Sequence, residues 1–196
     1  MDKDFNIVIV GTGGQGVITL LQILAEAAMI EGYDVKTSEL HGLSQRGGSV
    51  EVHLKFGKKI FSPLVPQGGA DLILSLEAQE CLKSCYYAGK QTTFLINRFF
   101  IPILEQKPLS EKAIVKELEK FTKNIIVIPA ADICEKKLGK NVVAGVYLLS
   151  YAVYNKIIPL KPSSLSRAID IAVSKKYLEL NKKTFELVRS KFSKKS

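Results

Sequence analysis

Hydrophobic and polar positions along this chain switch between two periods. "NIVIV" (6–10) is a continuous β-branched run, the pattern of a strand buried on both faces of a parallel sheet. Residues 17–30 take helical spacing: Thr19, Gln22 and Glu26 mark a narrow polar stripe on an otherwise apolar segment, and Gly32 supplies a stop near a C′ position. "DVKTSE" (34–39) predicts a second strand. "SVEVHLKF" (49–56) alternates with period two, placing Val50, Val52, Leu54 and Phe56 on one face and Ser49, Glu51, His53 and Lys55 on the other. The second face reads as solvated, so His53 is expected to be exposed. Gly57-Lys58 then predicts a turn into a hairpin partner, "KIFSPLV". "DLILSLE" (71–77) and "TTFLIN" (92–97) predict two more strands, joined by a helix to about Ala88. "NIIVIP" (124–129) predicts another, stopped by Pro129. Ser110 is the natural N-cap of a helix, and helices over roughly 130–139, 141–156, 163–175 and 176–192 complete the chain.

This order predicts an α/β fold: a three-layer, Rossmann-like, mostly parallel sheet with an inserted β-hairpin, right-handed crossovers and a helical C-terminal tail. There is no internal repeat or low-complexity linker. The 196 residues therefore read as one domain, 1–196, with a helical extension from about 160 to 196.

Composition narrows the class. The stretch "VVAGVYLLSYAVY" (142–154) is too short to span a bilayer and reads as a buried helix. Met1, Asp2, Lys3 and Asp4 lead straight into a strand, without the pattern of a signal peptide. Cys81, Cys85 and Cys134 are too few and too far apart for a disulfide framework or a cluster-binding run, so a cytoplasmic protein with buried thiols is expected. The net charge of +9 owes much to Lys175, Lys176, Lys182, Lys183, Lys191, Lys194 and Lys195. No nucleic-acid motif accompanies them, and they read as a solvated helix face; no nucleic-acid or membrane partner is expected.

Three features fall at the carboxyl ends of the strands, where ligands gather in such folds: "GTGGQG", "ELHGLSQRGG" and "SLE" with Glu77. Gly11, Gly13 and Gly16 satisfy the G-x-G-x-x-G spacing, with Gly14 and Gln15 between them. Glu39, 23 residues beyond Gly16, stands at the distance of a ribose-binding acid. An NAD(P)- or FAD-binding enzyme is one reading; a turn that packs a helix on a sheet, in a binding protein without catalysis, is another. In the second motif, His41, Gly42, Ser44, Gln45 and Arg46 precede Gly47, Gly48 and Ser49. Arg46 offers a planar donor fork suited to phosphate or carboxylate. Such a loop can hold a phosphate or be pressed against another subunit. His41 lacks a partner in sequence, and neither a Ser/His/Asp set nor metal-ligand spacing appears, so no catalytic or metal-binding residue is assigned.

"GTGGQGV" followed by "SELHGLSQRGGSVEVHLKFGKKIFSPLV" resembles the gamma-type component of the 2-oxoacid:ferredoxin oxidoreductases. Within that group the form H-G-(small or apolar)-x-Q-R-G-G-S looks most like the small subunits of indolepyruvate ferredoxin oxidoreductases, with the pyruvate and 2-oxoglutarate gamma subunits as alternatives. "GADLILSLEAQECL", "IPAADICEKKLG" and "NKKTFEL" extend the likeness along the chain. The resemblance implies oxidative decarboxylation of a 2-oxoacid, an indolepyruvate or other aryl pyruvate, to an acyl-coenzyme A, with electrons passed to ferredoxin. It implies a hetero-oligomer in which a large partner chain carries thiamine diphosphate, Mg2+ and the iron–sulfur clusters. Gly11, Gly13, Gly14, Gln15, Gly16 and the 41–49 loop would then face that partner or coenzyme A, and the isolated chain would be inactive. The "LS" between His-Gly and Gln-Arg is a mild departure from the family pattern and leaves the 2-oxoacid open.

Overall fold

The computed structural model describes residues 3–41, 47–102 and 109–192. Its elements in chain order are β1 (Phe5–Thr12), α1 (Val17–Ile30), β2 (Asp34–His41), β3 (Ser49–Gly57), β4 (Ala70–Ser75), a 3₁₀ helix (Glu80–Tyr87), β5 (Ala88–Asn97), α2 (Glu111–Leu118), β6 (Ile125–Ile128), α3 (Ala130–Leu138), α4 (Ala144–Tyr154), α5 (Pro162–Ala172) and α6 (Lys175–Phe192). The strands form one sheet in the order β2-β3-β1-β4-β5-β6. β1, β4, β5 and β6 are parallel, while β3 is antiparallel to both β1 and β2.

The inserted hairpin is β2 with β3, not β3 with "KIFSPLV". β3 is paired along one edge from Phe5↔Phe56 to Thr12↔Ser49 and along the other from Asp34↔Gly57 to His41↔Val50. Both edges of β3 are filled, so no backbone groups remain there for a third strand. The 58–66 segment instead crosses the sheet as a strap. The Ile60 amide donates to Asp34 Oδ2 (2.8 Å), the Val65 amide donates to His53 Nδ1 (3.1 Å), and the Ile60 and Val65 side chains are buried. Pro63 and Pro66 lack the amide hydrogens that a regular ladder needs.

The strap also corrects the expectation for His53, which is 1% exposed rather than solvated. A strand's two faces are distinguishable by pattern, but whether the polar face meets water depends on what covers it.

β1 supplies a core to each face. Ile7 and Ile9 join Val52, Leu54, Phe56, Leu72 and Leu74 under the helices α1, α3, α4, α5 and α6. Val8 and Val10 join Ile73, Phe94 and Ile96 under α2, the 3₁₀ helix and the strap. This is the three-layer arrangement expected of a strand that is apolar at every position. The C-terminal helices belong to the larger core: Leu165, Ala168 and Ile169 of α5 and Phe185 and Val188 of α6 are buried in it. In α4, Gly145 lies so close to Leu20 of α1 that a Cβ would stand 2.5 Å from Leu20 Cδ1. Ser110 caps α2 as expected, its hydroxyl accepting from the Ala113 amide (3.2 Å). Among the described residues no helix is long and apolar enough to cross a membrane.

Candidate functional site

The glycine turn begins where β1 stops. Gly11 is closely surrounded: a Cβ would lie 2.8 Å from Gln15 Oε1 and 3.0 Å from Val17 Cγ2, so that Gln15 would have to shift. Gly14 and Gly16 adopt left-handed φ of 96° and 81°, and Gly16 occupies the N-cap of α1. That conformation is costly for any residue with a Cβ. Gln15 folds back over the turn. Its Oε1 accepts the Thr12 amide (2.8 Å) and its Nε2 donates to the Leu76 carbonyl (3.3 Å), tying the ends of β1 and β4 together.

The second motif meets the first. Thr12 pairs with Ser49, and the Gly13 amide donates to the Gly48 carbonyl (2.9 Å). His41 closes β2 opposite Val50 at the same edge. Gly42, Ser44, Gln45 and Arg46 lie outside the described residues. Glu39 is exposed on β2, opposite Val52.

That position bears on the dinucleotide reading. In a dinucleotide-binding sheet the ribose acid ends the strand next to β1. Here β3 intervenes, placing Glu39 two strand spacings, roughly 10 Å, from β1. The sequence interval from Gly16 suits the fingerprint; the strand order does not.

Glu77 works as a backbone cap. Only 2% exposed, its Oε2 accepts the Gln79 and Glu80 amides (2.7 and 2.8 Å) and its Oε1 accepts the Ile101 amide (3.2 Å). Glu80, unassigned by the sequence reading, accepts the Ser49 hydroxyl on Oε2 (2.5 Å) and pairs with Lys83 through Oε1 (2.6 Å). Its sequence signal was the three-residue spacing from Glu77 just after a strand. Asn97, at the end of β5, donates to the Leu76 carbonyl (3.1 Å) and accepts the Ala131 amide at the start of α3 (3.1 Å).

Two concavities adjoin the turn. A recess of about 120 Å³ lies between Gly14, Gln15, Asn97 and Asn141. A larger cleft of about 750 Å³ runs from Gly14 and Gly16 past Lys140 to Ser174 and Tyr177. The first turn of α1 carries no acidic residue, so its amide end and Lys140 make this a favourable setting for an anion. No group of three or more His, Cys, Asp or Glu side chains able to hold a metal occurs among the described residues. Cys81 and Cys134 are buried. Burial pushes the Cys81 thiol up, with the neighbouring Cys85 and Glu77 adding to the effect, and it pushes Cys134 up to about 11. Both are poor candidates for thiolate ligation.

Residues 6–190 match the family model described as pyruvate ferredoxin/flavodoxin oxidoreductase. The chain belongs to that family, as the two glycine-rich motifs implied. It is 38% identical to the indolepyruvate oxidoreductase subunit IorB of Archaeoglobus fulgidus, across 93% of this chain and 92% of that protein. It is 33% identical to the subunit of the same name from Thermococcus kodakarensis, across 94% of each. A solved structure of the 2-oxoglutarate:ferredoxin oxidoreductase from Magnetococcus marinus with 2-oxoglutarate, coenzyme A and succinyl-CoA bound shares the fold (TM-score 0.71, 15% identity), covering 97% of this chain and 31% of that one.

Proposed function

We propose that this chain is the small subunit of a hetero-oligomeric 2-oxoacid:ferredoxin oxidoreductase that acts on indolepyruvate or a related aryl pyruvate. The observation that carries this reading is the near-full-length identity to two indolepyruvate oxidoreductase subunits. The site is consistent with it: two motifs joined by the Gly13–Gly48 hydrogen bond form one surface. In this reading thiamine diphosphate, Mg2+ and the iron–sulfur clusters belong to the large partner, through which electrons reach ferredoxin; among the described residues of this chain no three His, Cys, Asp or Glu side chains are grouped to hold a metal.

Coenzyme A fits better. The backbone of Gly14, Gln15 and Gly16 at the α1 N-terminus, with Lys140 beside the cleft, would hold its anionic portion. Bound there, coenzyme A would supply the thiol that accepts the acyl group. The role of this chain is to position and to exclude water, while the partner performs the redox chemistry. The Arg46 fork is a further contact to phosphate or to the partner in this reading.

Co-production with the large partner, followed by viologen reduction against a panel of 2-oxoacids, tests the proposal. Activity dependent on coenzyme A and highest with indolepyruvate is expected, with none from the isolated chain. Preference for pyruvate or 2-oxoglutarate would overturn the substrate assignment, and turnover by the isolated chain would overturn the subunit role. Arg46→Ala is expected to impair assembly or raise the KM for coenzyme A. Saturable micromolar binding of NAD(H), abolished by Gly13→Val, would instead restore the dinucleotide reading.

A further inference from the structure

The six residues "SLEAQE" (75–80) tie the glycine turn and the second motif to a common base. The Leu76 amide donates to the Val10 carbonyl (2.9 Å), and the Leu76 carbonyl accepts from both Gln15 and Asn97. Glu77 then fixes the Gln79 and Glu80 backbone through its buried carboxylate. Glu80, 9% exposed, is thereby aimed at the far side of the site, where Oε2 takes the Ser49 hydroxyl. Ser49 forms the last pair of the β1–β3 ladder, and its neighbour Gly48 receives the Gly13 amide. A terminal ladder pair frays unless side chains hold it. Here a hydrogen bond to a charged acceptor does so, and such bonds are the stronger class.

We propose that Glu80 is a positioning residue: it pins Ser49 and so sets the Gly47–Gly48 backbone against the glycine turn, fixing the surface that receives coenzyme A. The coenzyme A part rests on the functional reading above; the positioning part does not. Lys83 is secondary. It is more than half exposed, and an ion pair of that kind contributes little. The requirement on Glu80 is therefore an acceptor for Ser49 at that place, not the charge pair with Lys83.

Two readouts test this. The first is amide hydrogen exchange of Gly13 in the full chain. Glu80→Ala is expected to speed it roughly tenfold, the loss expected for one charge-assisted hydrogen bond. Ser49→Ala removes the same bond from the other side and serves if Glu80→Ala fails to fold. The double variant is expected to be no faster than either single one, because one interaction is removed in all three. Glu80→Gln keeps a neutral acceptor and is expected to recover part of the loss, with exchange between those of Glu80→Ala and the parent, and Lys83→Ala to leave exchange unchanged. Unchanged Gly13 exchange in both Glu80→Ala and Ser49→Ala, or a Gln variant no better than Ala, would overturn the positioning role.

The second readout is the KM for coenzyme A in the co-produced complex. A rise of roughly tenfold in Glu80→Ala with kcat little changed, partly reversed by Glu80→Gln, is expected. Faster Gly13 exchange with an unchanged KM would overturn the coenzyme A half. A parent complex without coenzyme A-dependent turnover would refute the functional reading, while Gly13 exchange would still decide the role of Glu80.

Discussion

The Gly13 amide donates to the Gly48 carbonyl at 2.9 Å, so the two glycine-rich stretches that stand apart in the sequence share a hydrogen bond at the edge of the sheet. Gln15 holds the turn in the shape that makes this possible, accepting the Thr12 amide and donating to the Leu76 carbonyl. Gln15→Ala is expected to lower unfolding stability by about 1–2 kcal/mol. Gln15→Glu should cost more, because an acceptor would then face the Leu76 carbonyl. Urea titration of both variants checks the order; a Glu variant as stable as the parent would show that the contact to Leu76 does not matter.

Acid sensitivity is expected at the strap. Burial pushes the Glu51 carboxyl up, but hydrogen bonds from His53 and Tyr87 outweigh it, and Glu51 rests below the usual carboxylate range. His53 Nδ1 accepts from Val65, so Nε2 carries the proton donated to Glu51. Burial, together with the Glu51 charge, pushes Tyr87 up to about 12, and its hydroxyl stays a donor. A group whose pKa is lower in the folded state stabilises at higher pH and loses that contribution as pH falls through the folded pKa. The Tm should therefore decline below about pH 4, and Glu51→Gln should lower the Tm at neutral pH while flattening the acid decline. Parallel acid slopes for parent and variant would remove Glu51 as the cause.

α4 ends in a Schellman arrangement: Ile157 donates to the Ala152 carbonyl (2.8 Å) and Lys156 to the Val153 carbonyl (3.0 Å). The left-handed position is occupied by Lys156, with φ 57°. Glycine is the residue that adopts this conformation without strain. Lys156→Gly should raise stability by about 0.5–1 kcal/mol, read as a higher thermal midpoint. A lower midpoint would mean that the Lys156 side chain contributes more than the strain costs.

α1 and α4 approach each other through Gly145. Gly145→Val would drive two methyl groups towards Leu20 and is expected to destabilise by about 1–3 kcal/mol. Leu20→Ala in the same chain should recover part of that loss, which a double-mutant cycle would measure. Strict additivity would indicate that the helices separate rather than repack.

Much of this architecture is legible in local pattern. The all-apolar run of β1, the polar stripe of α1 ended by Gly32, the Ser110 cap and the short apolar α4 each follow from periodicity and backbone preference, which act over a few residues. Both glycine-rich motifs are likewise visible, and their order sufficed to point to the family. The partner of β3, the cover over His53 and the bond from Glu80 to Ser49 are different in kind. Each depends on which segment arrives from far along the chain: β3 enters between β1 and β2, the 58–66 strap seals the polar face, and residue 80 reaches residue 49 across the sheet edge. Glu39 shows the consequence. Its interval from Gly16 is a property of the sequence, whereas its distance from the glycine turn is set by the strand inserted between them. Spacing along the chain determined the elements and the motifs; the order of strands in space decided what those motifs can hold, because hydrogen-bonded pairing and burial join residues without regard to their separation in sequence.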